Sequence, residues 1–121
     1  IIANLLSNAV KFTDPGGEVC TRVHLLEDGS LSLSVIDDGI GISEKDIEHV
    51  QTQFGQVQSS YNRNHQGTGL GLSLVRLLTE AHGGYFTLKS KLGSGTRATV
   101  VFPASRTLLT AAETGHKATL A

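Results

Sequence analysis

Gly67-Thr68-Gly69-Leu70-Gly71-Leu72 places three alternate glycines at the end of a polar loop and the start of an amphipathic segment. A glycine-rich turn at a helix start lets backbone N–H groups approach an anion closely, and the helix dipole adds roughly half a positive charge there. Local physics therefore predicts a phosphate site. The spacing G-x-G-x-G is not the dinucleotide fingerprint G-x-G-x-x-G, because position 72 is Leu, and it is not a Walker A loop, which ends in Gly-Lys-Ser/Thr. A flexible glycine-rich loop with no ligand reads this stretch equally well.

Asn4, Asn8 and Lys11 form a second candidate. On a helix they share an arc about 60° wide, with Ile1, Ile2, Leu5, Leu6, Ala9, Val10 and Phe12 filling the other side. Asn is a mediocre helix former, and Glu, Lys or Gln would serve better on a plain solvent face. Carboxamide oxygens one turn apart, with an ammonium beyond, could hold a hydrated Mg2+ and then a phosphate. An exposed polar stripe is the competing explanation. The third candidate is Asp37, which ends the alternating row Leu31, Leu33, Val35, Asp37. A carboxylate on a core-facing row needs a donor partner. In Asp38-Gly39-Ile40-Gly41-Ile42, two further glycines remove side chains and let a flat ligand lie against backbone. A turn cap at Asp37 and ordinary turn glycines would read the same way.

The elements that must position these groups follow from periodicity and punctuation. Ile1 to Phe12 reads as a helix stopped by Thr13-Asp14-Pro15-Gly16-Gly17. Glu18 to Leu26 and Leu31 to Asp37 read as a hairpin about Glu27-Asp28-Gly29-Ser30. Ser43 to about Val50 is a short helix with Ser43 as N-cap and Asp46 as its acidic partner. Gln51 to Gln66 is long for a loop within a domain, so it is expected to be a functional lid or a disordered segment; it carries Arg63 and His65, placed to fold over a phosphate. Leu70, Leu74, Leu77, Leu78 and Ala81 predict the buried stripe of a helix from Leu70 to His82, capped by Gly83. Tyr85 to Ser90 and Thr96 to Phe102 are two more strands, and Pro103 ends the last.

Bulk composition narrows the class. The 121 residues are 39% hydrophobic and 17% charged, which suits one globular domain. Aromatic residues make up only 5%, so the core must be aliphatic. A formal net charge of -1, without basic runs, gives no sign of a nucleic-acid or acidic-membrane surface. Cys20, the only cysteine, excludes an internal disulfide and a cysteine-based metal site. No apolar run approaches membrane-span length, and the N-terminus lacks a signal-peptide layout. Because the chain opens on Ile1-Ile2 within a helical pattern, it is expected to be a piece of a larger protein.

Together these pieces resemble the catalytic ATP-binding domain of bacterial sensor histidine kinases, within the GHKL (Bergerat-fold) ATPase group. Asn4-Leu5-Leu6-Ser7-Asn8-Ala9-Val10-Lys11-Phe12-Thr13 looks like the N box and Asp37 to Ile42 like the G1 box. Phe54-Gly55-Gln56-Val57 looks like the F box and Gly67 to Leu72 like the G2 box, with Gly93-Ser94-Gly95-Thr96 at a further glycine motif. The resemblance implies an α/β (α+β) two-layer sandwich, a mixed, mostly antiparallel sheet covered on one face by helices. It implies a domain over 1–103, N-terminally truncated, with a loose tail over 104–121.

The resemblance also implies roles. Asn8 would ligate Mg2+, Asn4 would support it, and Lys11 would contact phosphate. Asp37 would accept the adenine amino group, with Gly39, Gly41 and Ile42 along the base pocket. Phe54, Arg63, Gly67, Thr68, Gly69, Leu70, Gly71, Leu72 and Thr96 complete the expected ATP site. The hydrolysing relatives carry a Glu one turn before the metal-binding Asn as general base for water. Here that position is Asn4, which favours a kinase over an ATP hydrolase; an intact site argues against a pseudokinase. None of His24, His49, His65, His82 and His116 suits a phosphoacceptor. The expected partners are ATP or ADP, an upstream histidine-bearing dimerisation domain in a homodimer, and indirectly a response regulator, with a cytoplasmic location for the domain.

Overall fold

Period-two alternation and turn chemistry coincide in two places, and each becomes a hairpin. The computed structural model describes residues 1–52 and 70–108. Strands β1 (Val19–Leu25) and β2 (Leu31–Asp37) pair antiparallel, with Val19 opposite Asp37 and Leu25 opposite Leu31. Their turn uses Gly29 at φ +85°, and Asp28 Oδ1 accepts the Ser30 N–H at 2.9 Å. Strands β3 (Tyr85–Lys91) and β4 (Gly95–Phe102) form the second hairpin. The sheet order is β1-β2-β4-β3, so the later hairpin docks its second strand on β2. Every pairing among the described residues is antiparallel.

Helices α1 (Ile2–Lys11) and α3 (Leu70–Ala81) lie on one face of this sheet, with α2 (Glu44–Thr52) beside β3 and α3. Core residues come from one row of the two central strands, Leu33 and Val35 on β2 and Ala98 and Val100 on β4, joined by Leu88 of the edge strand β3. Leu5 and Ala9 of α1 and Val75 of α3 close over them. The result is the α+β two-layer sandwich.

The buried stripe of α3 differs from the predicted one. Val75 and Thr79 are fully buried, whereas Leu74 and Leu77 are 44% and 54% exposed and Ala81 is exposed. Leu72, Leu74, Val75, Leu77 and Leu78 surround this helix, so periodicity alone cannot choose between stripes one residue apart. Packing against α1 and the sheet selects the smaller side chains. Thr79 tolerates burial because its hydroxyl donates to the Val75 carbonyl at 2.6 Å. On α1, too, the predicted apolar side is only partly inside: Ile2 and Val10 are exposed.

Two helix ends form as expected. Gly83, at φ +79°, closes α3 in a Schellman arrangement, with Gly84 N–H to Thr79 O at 3.0 Å and Gly83 N–H to Glu80 O at 2.9 Å. At α2, Ser43 Oγ accepts the Asp46 N–H at 3.2 Å and donates to Asp46 Oδ2 at 2.7 Å. Ser43→Ala is expected to destabilise the domain by about 1 kcal/mol, read as a lower urea midpoint with unchanged m-value.

Candidate functional site

The last two turns of α1 carry the first cluster. Asn4 and Asn8 are half-buried and flank the buried Leu5 and Ala9, while Lys11 is exposed. They border the core stripe and do not sit on the solvent side of the helix. A Cβ built on Gly71 would meet Asn8 Nδ2 at 3.2 Å and Oδ1 at 3.6 Å. The Asn8 carboxamide therefore lies over the first turn of α3, where the glycine run of the sequence ends. The first N–H groups of an α-helix lack intrahelical partners and favour an anion. The Asn8 carboxamide and the start of α3 are thus neighbours.

The second cluster surrounds Asp37, the last residue of β2, opposite Thr96 of β4. Asp37 is the only acidic residue in the four strands, and it is half-buried. Its Oδ1 accepts the Gly39 N–H at 2.9 Å. Burial pushes its pKa up from the ordinary carboxylate value; the Gly39 and Thr96 N–H groups oppose the rise, and the neighbouring Asp38 charge adds to it. No cation pairs with Asp37 among the described residues. Asp38 instead serves the fold, its Oδ1 accepting the Glu18 N–H at 2.8 Å at the start of β1.

The loop from Asp38 to Ile42 joins the two clusters. Ile40 N–H donates to the Phe12 carbonyl at 3.1 Å, tying the end of α1 to the segment after Asp37. On its other side the loop meets the β3–β4 turn: Gly93 N–H donates to Ile40 O at 2.7 Å, and Ile42 N–H to Ser90 Oγ at 2.7 Å. A Cβ on Gly39 would overlap the Phe12 carbonyl, and one on Gly41 would overlap the Lys91 carbonyl. Gly95, at φ +108°, similarly abuts the Asp37 carbonyl. These glycines are required by the chain's contact with itself, whether or not a ligand lies beside them.

Of the remaining predicted residues, Ile42 and Leu72 are half-buried against the core, and Leu70 opens α3. Thr96 Oγ1 is 2.7 Å from Ser90 Oγ. Phe54, Arg63, Gly67, Thr68 and Gly69 lie outside the described residues, as do 53–66 of the predicted lid loop and most of the tail, whereas Gln51 and Thr52, expected in that loop, continue α2. Sequence reasoning missed Ser90 and the Phe12 carbonyl. Ser90 was detectable, because it ends the core-facing row Phe86, Leu88, Ser90 just as Asp37 ends its own row.

At the far end of α1 an apolar groove is lined by Ile1, Ile2, Leu33, Leu78 and Phe102. His82 closes it with its Nδ1 2.7 Å from the Leu78 carbonyl and its ring edge-on to Phe102 at 5.7 Å, a structural role. Among the described residues no group of three or more His, Cys, Asp or Glu converges as a metal cage, and no helix is long and apolar enough to cross a membrane.

Comparison with known proteins identifies the family and the fold. The family described as histidine kinase-, DNA gyrase B-, and HSP90-like ATPase matches residues 1–106. A sensor-like histidine kinase of Rhizobium meliloti is 46% identical over 103 residues, covering 85% of this chain and 19% of the relative. The histidine protein kinase DivJ of Caulobacter vibrioides is 45% identical over 103 residues, covering 85% of this chain and 17% of DivJ. The chain thus spans about a fifth of the length of these relatives. The solved structure of full-length ShkA in complex with AMPPNP is similar at a TM-score of 0.68 and 30% identity, over 84% of this chain and 20% of that one. The chain belongs to the histidine kinase-, DNA gyrase B- and HSP90-like ATPase family, as an ATP-binding catalytic domain of the sensor histidine kinase type.

Proposed function

We propose that the chain holds Mg-ATP between α1 and the start of α3 and presents its γ-phosphoryl group to a histidine on another domain of the same protein. The observation that carries this is the placing of Asn8 over the first turn of α3, with Asp37 bound to the same frame through the Ile40–Phe12 hydrogen bond. The two clusters then serve opposite ends of one nucleotide. Asp37, with one oxygen already taken by Gly39, has acceptor capacity left for the adenine amino group.

The donor set suits Mg2+, a hard cation that keeps several waters and takes few protein ligands besides substrate phosphates. Asn8 would hold it, with Asn4 as support and Lys11 against phosphate. When bound, the ion neutralises developing charge on the phosphoryl oxygens. The chain's own share is positioning: Asp37 orients the base, Asn8 and the α3 start orient the phosphates, and Asn4 offers no proton acceptor for water at neutral pH. That last point favours transfer to a histidine over hydrolysis. In this reading residues 1–103 form the working domain and 104–121 a tail. The phosphoacceptor histidine belongs to a helical dimerisation domain, and a response regulator receives the phosphoryl group next. The domain works in the cytoplasm.

Calorimetric titration with ADP and a non-hydrolysable ATP analogue, with and without Mg2+, tests the reading. Binding should strengthen with Mg2+, and Asn8→Ala should remove most of that gain while leaving metal-free affinity nearly unchanged. Equal affinities with and without Mg2+ would place the metal elsewhere. No binding by the folded chain would overturn the function.

A further inference from the structure

The Ser90 side chain touches both segments flanking Asp37. Its hydroxyl oxygen accepts the Ile42 N–H at 2.7 Å, lies 2.9 Å from the Gly95 carbonyl to which it can donate, and is 2.7 Å from Thr96 Oγ1. Ile42 ends the loop that leaves Asp37, and Thr96 lies opposite Asp37 in the sheet register. The Thr96 N–H is also one of the two backbone groups that temper the Asp37 carboxylate.

The glycine contacts leave this junction little slack. Gly41 and Gly95 bring backbone against backbone on either side of Ser90, so the loop can neither thicken nor slide. The Ile40–Phe12 and Gly93–Ile40 backbone hydrogen bonds hold the middle of the loop, and the hydrogen bond from Ile42 to Ser90 holds its end. Without the Ser90 hydroxyl, the Ile42 N–H has no described partner in this interior, and an unpaired donor there favours any loop position that reaches water. Such a shift moves the Gly39 N–H that holds Asp37 Oδ1. At the other end of the site, Asn8 sits on α1 and answers to α3, with no direct link to Ser90.

We propose that Ser90 is a positioning residue for the base end of the site: it holds the 38–42 loop against the start of β4 and so sets the orientation of Asp37 toward adenine. This inference rests on the nucleotide-binding reading above. It predicts an effect confined to one end of the ligand. A residue that merely stabilised the domain would weaken both ends alike.

The test compares wild type, Ser90→Ala and Ser90→Thr in the full chain with two probes, adenosine and Mg-tripolyphosphate. Backbone amide exchange at Ile42 is followed without ligand. Ser90→Ala is expected to lower adenosine affinity about tenfold, to speed Ile42 exchange by a similar factor, and to leave Mg-tripolyphosphate affinity within twofold, roughly the resolution of the assay. Ser90→Thr, which keeps the hydroxyl, should restore both adenosine binding and Ile42 protection. Unchanged adenosine affinity in Ser90→Ala, equal losses for both probes, or no recovery in Ser90→Thr would overturn the proposal while leaving the nucleotide site intact. Wild-type chain that binds Mg-tripolyphosphate but no adenine compound would overturn both this inference and the assignment of Asp37.

Discussion

Asp37→Asn is expected to lower affinity for adenine nucleotides on the order of 30-fold while raising the thermal midpoint of the nucleotide-free chain at neutral pH. The first effect follows from the Gly39 N–H, which already takes one carboxylate oxygen. An amide at this position has a single oxygen. If that oxygen stays on Gly39, an NH2 group faces the adenine amino group, donor against donor. If the amide turns over, the same conflict arises with Gly39. The carboxylate satisfies both neighbours and the amide cannot.

The second effect follows from burial, which raises the Asp37 pKa in the folded chain above its unfolded value. The native state then holds this proton more tightly than the unfolded state, so ionising Asp37 costs stability as pH rises through the folded pKa. Below the ordinary carboxylate range both states are protonated and the cost disappears. Asparagine carries no charge and avoids it throughout. The gap between the melting temperatures of Asp37→Asn and wild type should therefore be small below about pH 4 and open toward neutral pH. Thermal melts across that range, beside ADP titrations at neutral pH, read both effects. An unchanged ADP affinity would remove Asp37 from the base site, and a pH-independent gap would remove the buried-charge explanation. A side chain that gains function at the expense of stability is what a binding site predicts and a turn cap does not.

Much of this frame was legible because it rests on short-range rules. Alternation over Leu31 to Asp37 put the carboxylate on the core-facing row, and the register bears that out. Ser43 and Gly83 announced helix ends through local chemistry that needs no tertiary information. The face of α3 was not legible, since a helix apolar on most sides is oriented by its neighbours, and those neighbours chose Val75 and Thr79 over Leu74 and Leu77. The reason for the glycines after Asp37 was hidden as well. Gly41 meets Lys91, fifty residues away in the chain, across a contact that only the folded sheet creates. The row Phe86, Leu88, Ser90 marked Ser90 as core-facing, but its partners were hidden for the same reason, since Ile42 lies in a distant loop and Gly95 at the start of β4.

That hidden contact carries the other large effect. Gly41→Ala is expected to destabilise the nucleotide-free chain by about 2–5 kcal/mol, a large share of a typical domain's stability of roughly 5–15 kcal/mol. Two costs add. Gly41 sits at φ +71°, where an L side chain loses about 1–2 kcal/mol. Its Cβ would also overlap the Lys91 carbonyl, which is backbone and cannot rotate away. Relief requires parting the loop from the β3–β4 turn, which strains the Gly93-to-Ile40 and Ile42-to-Ser90 hydrogen bonds together. Gly16 separates the two costs, since it has φ +89° but a Cβ there would meet nothing within 4 Å. Gly16→Ala should therefore lose only the conformational part, about 1 kcal/mol. Urea denaturation of both variants without ligand makes the comparison. If Gly41→Ala proved as stable as Gly16→Ala and lost only nucleotide affinity, the glycine would be kept for the ligand. If it melts first, the glycine belongs to the frame, and the base pocket inherits its shape from a contact that the fold needs in any case.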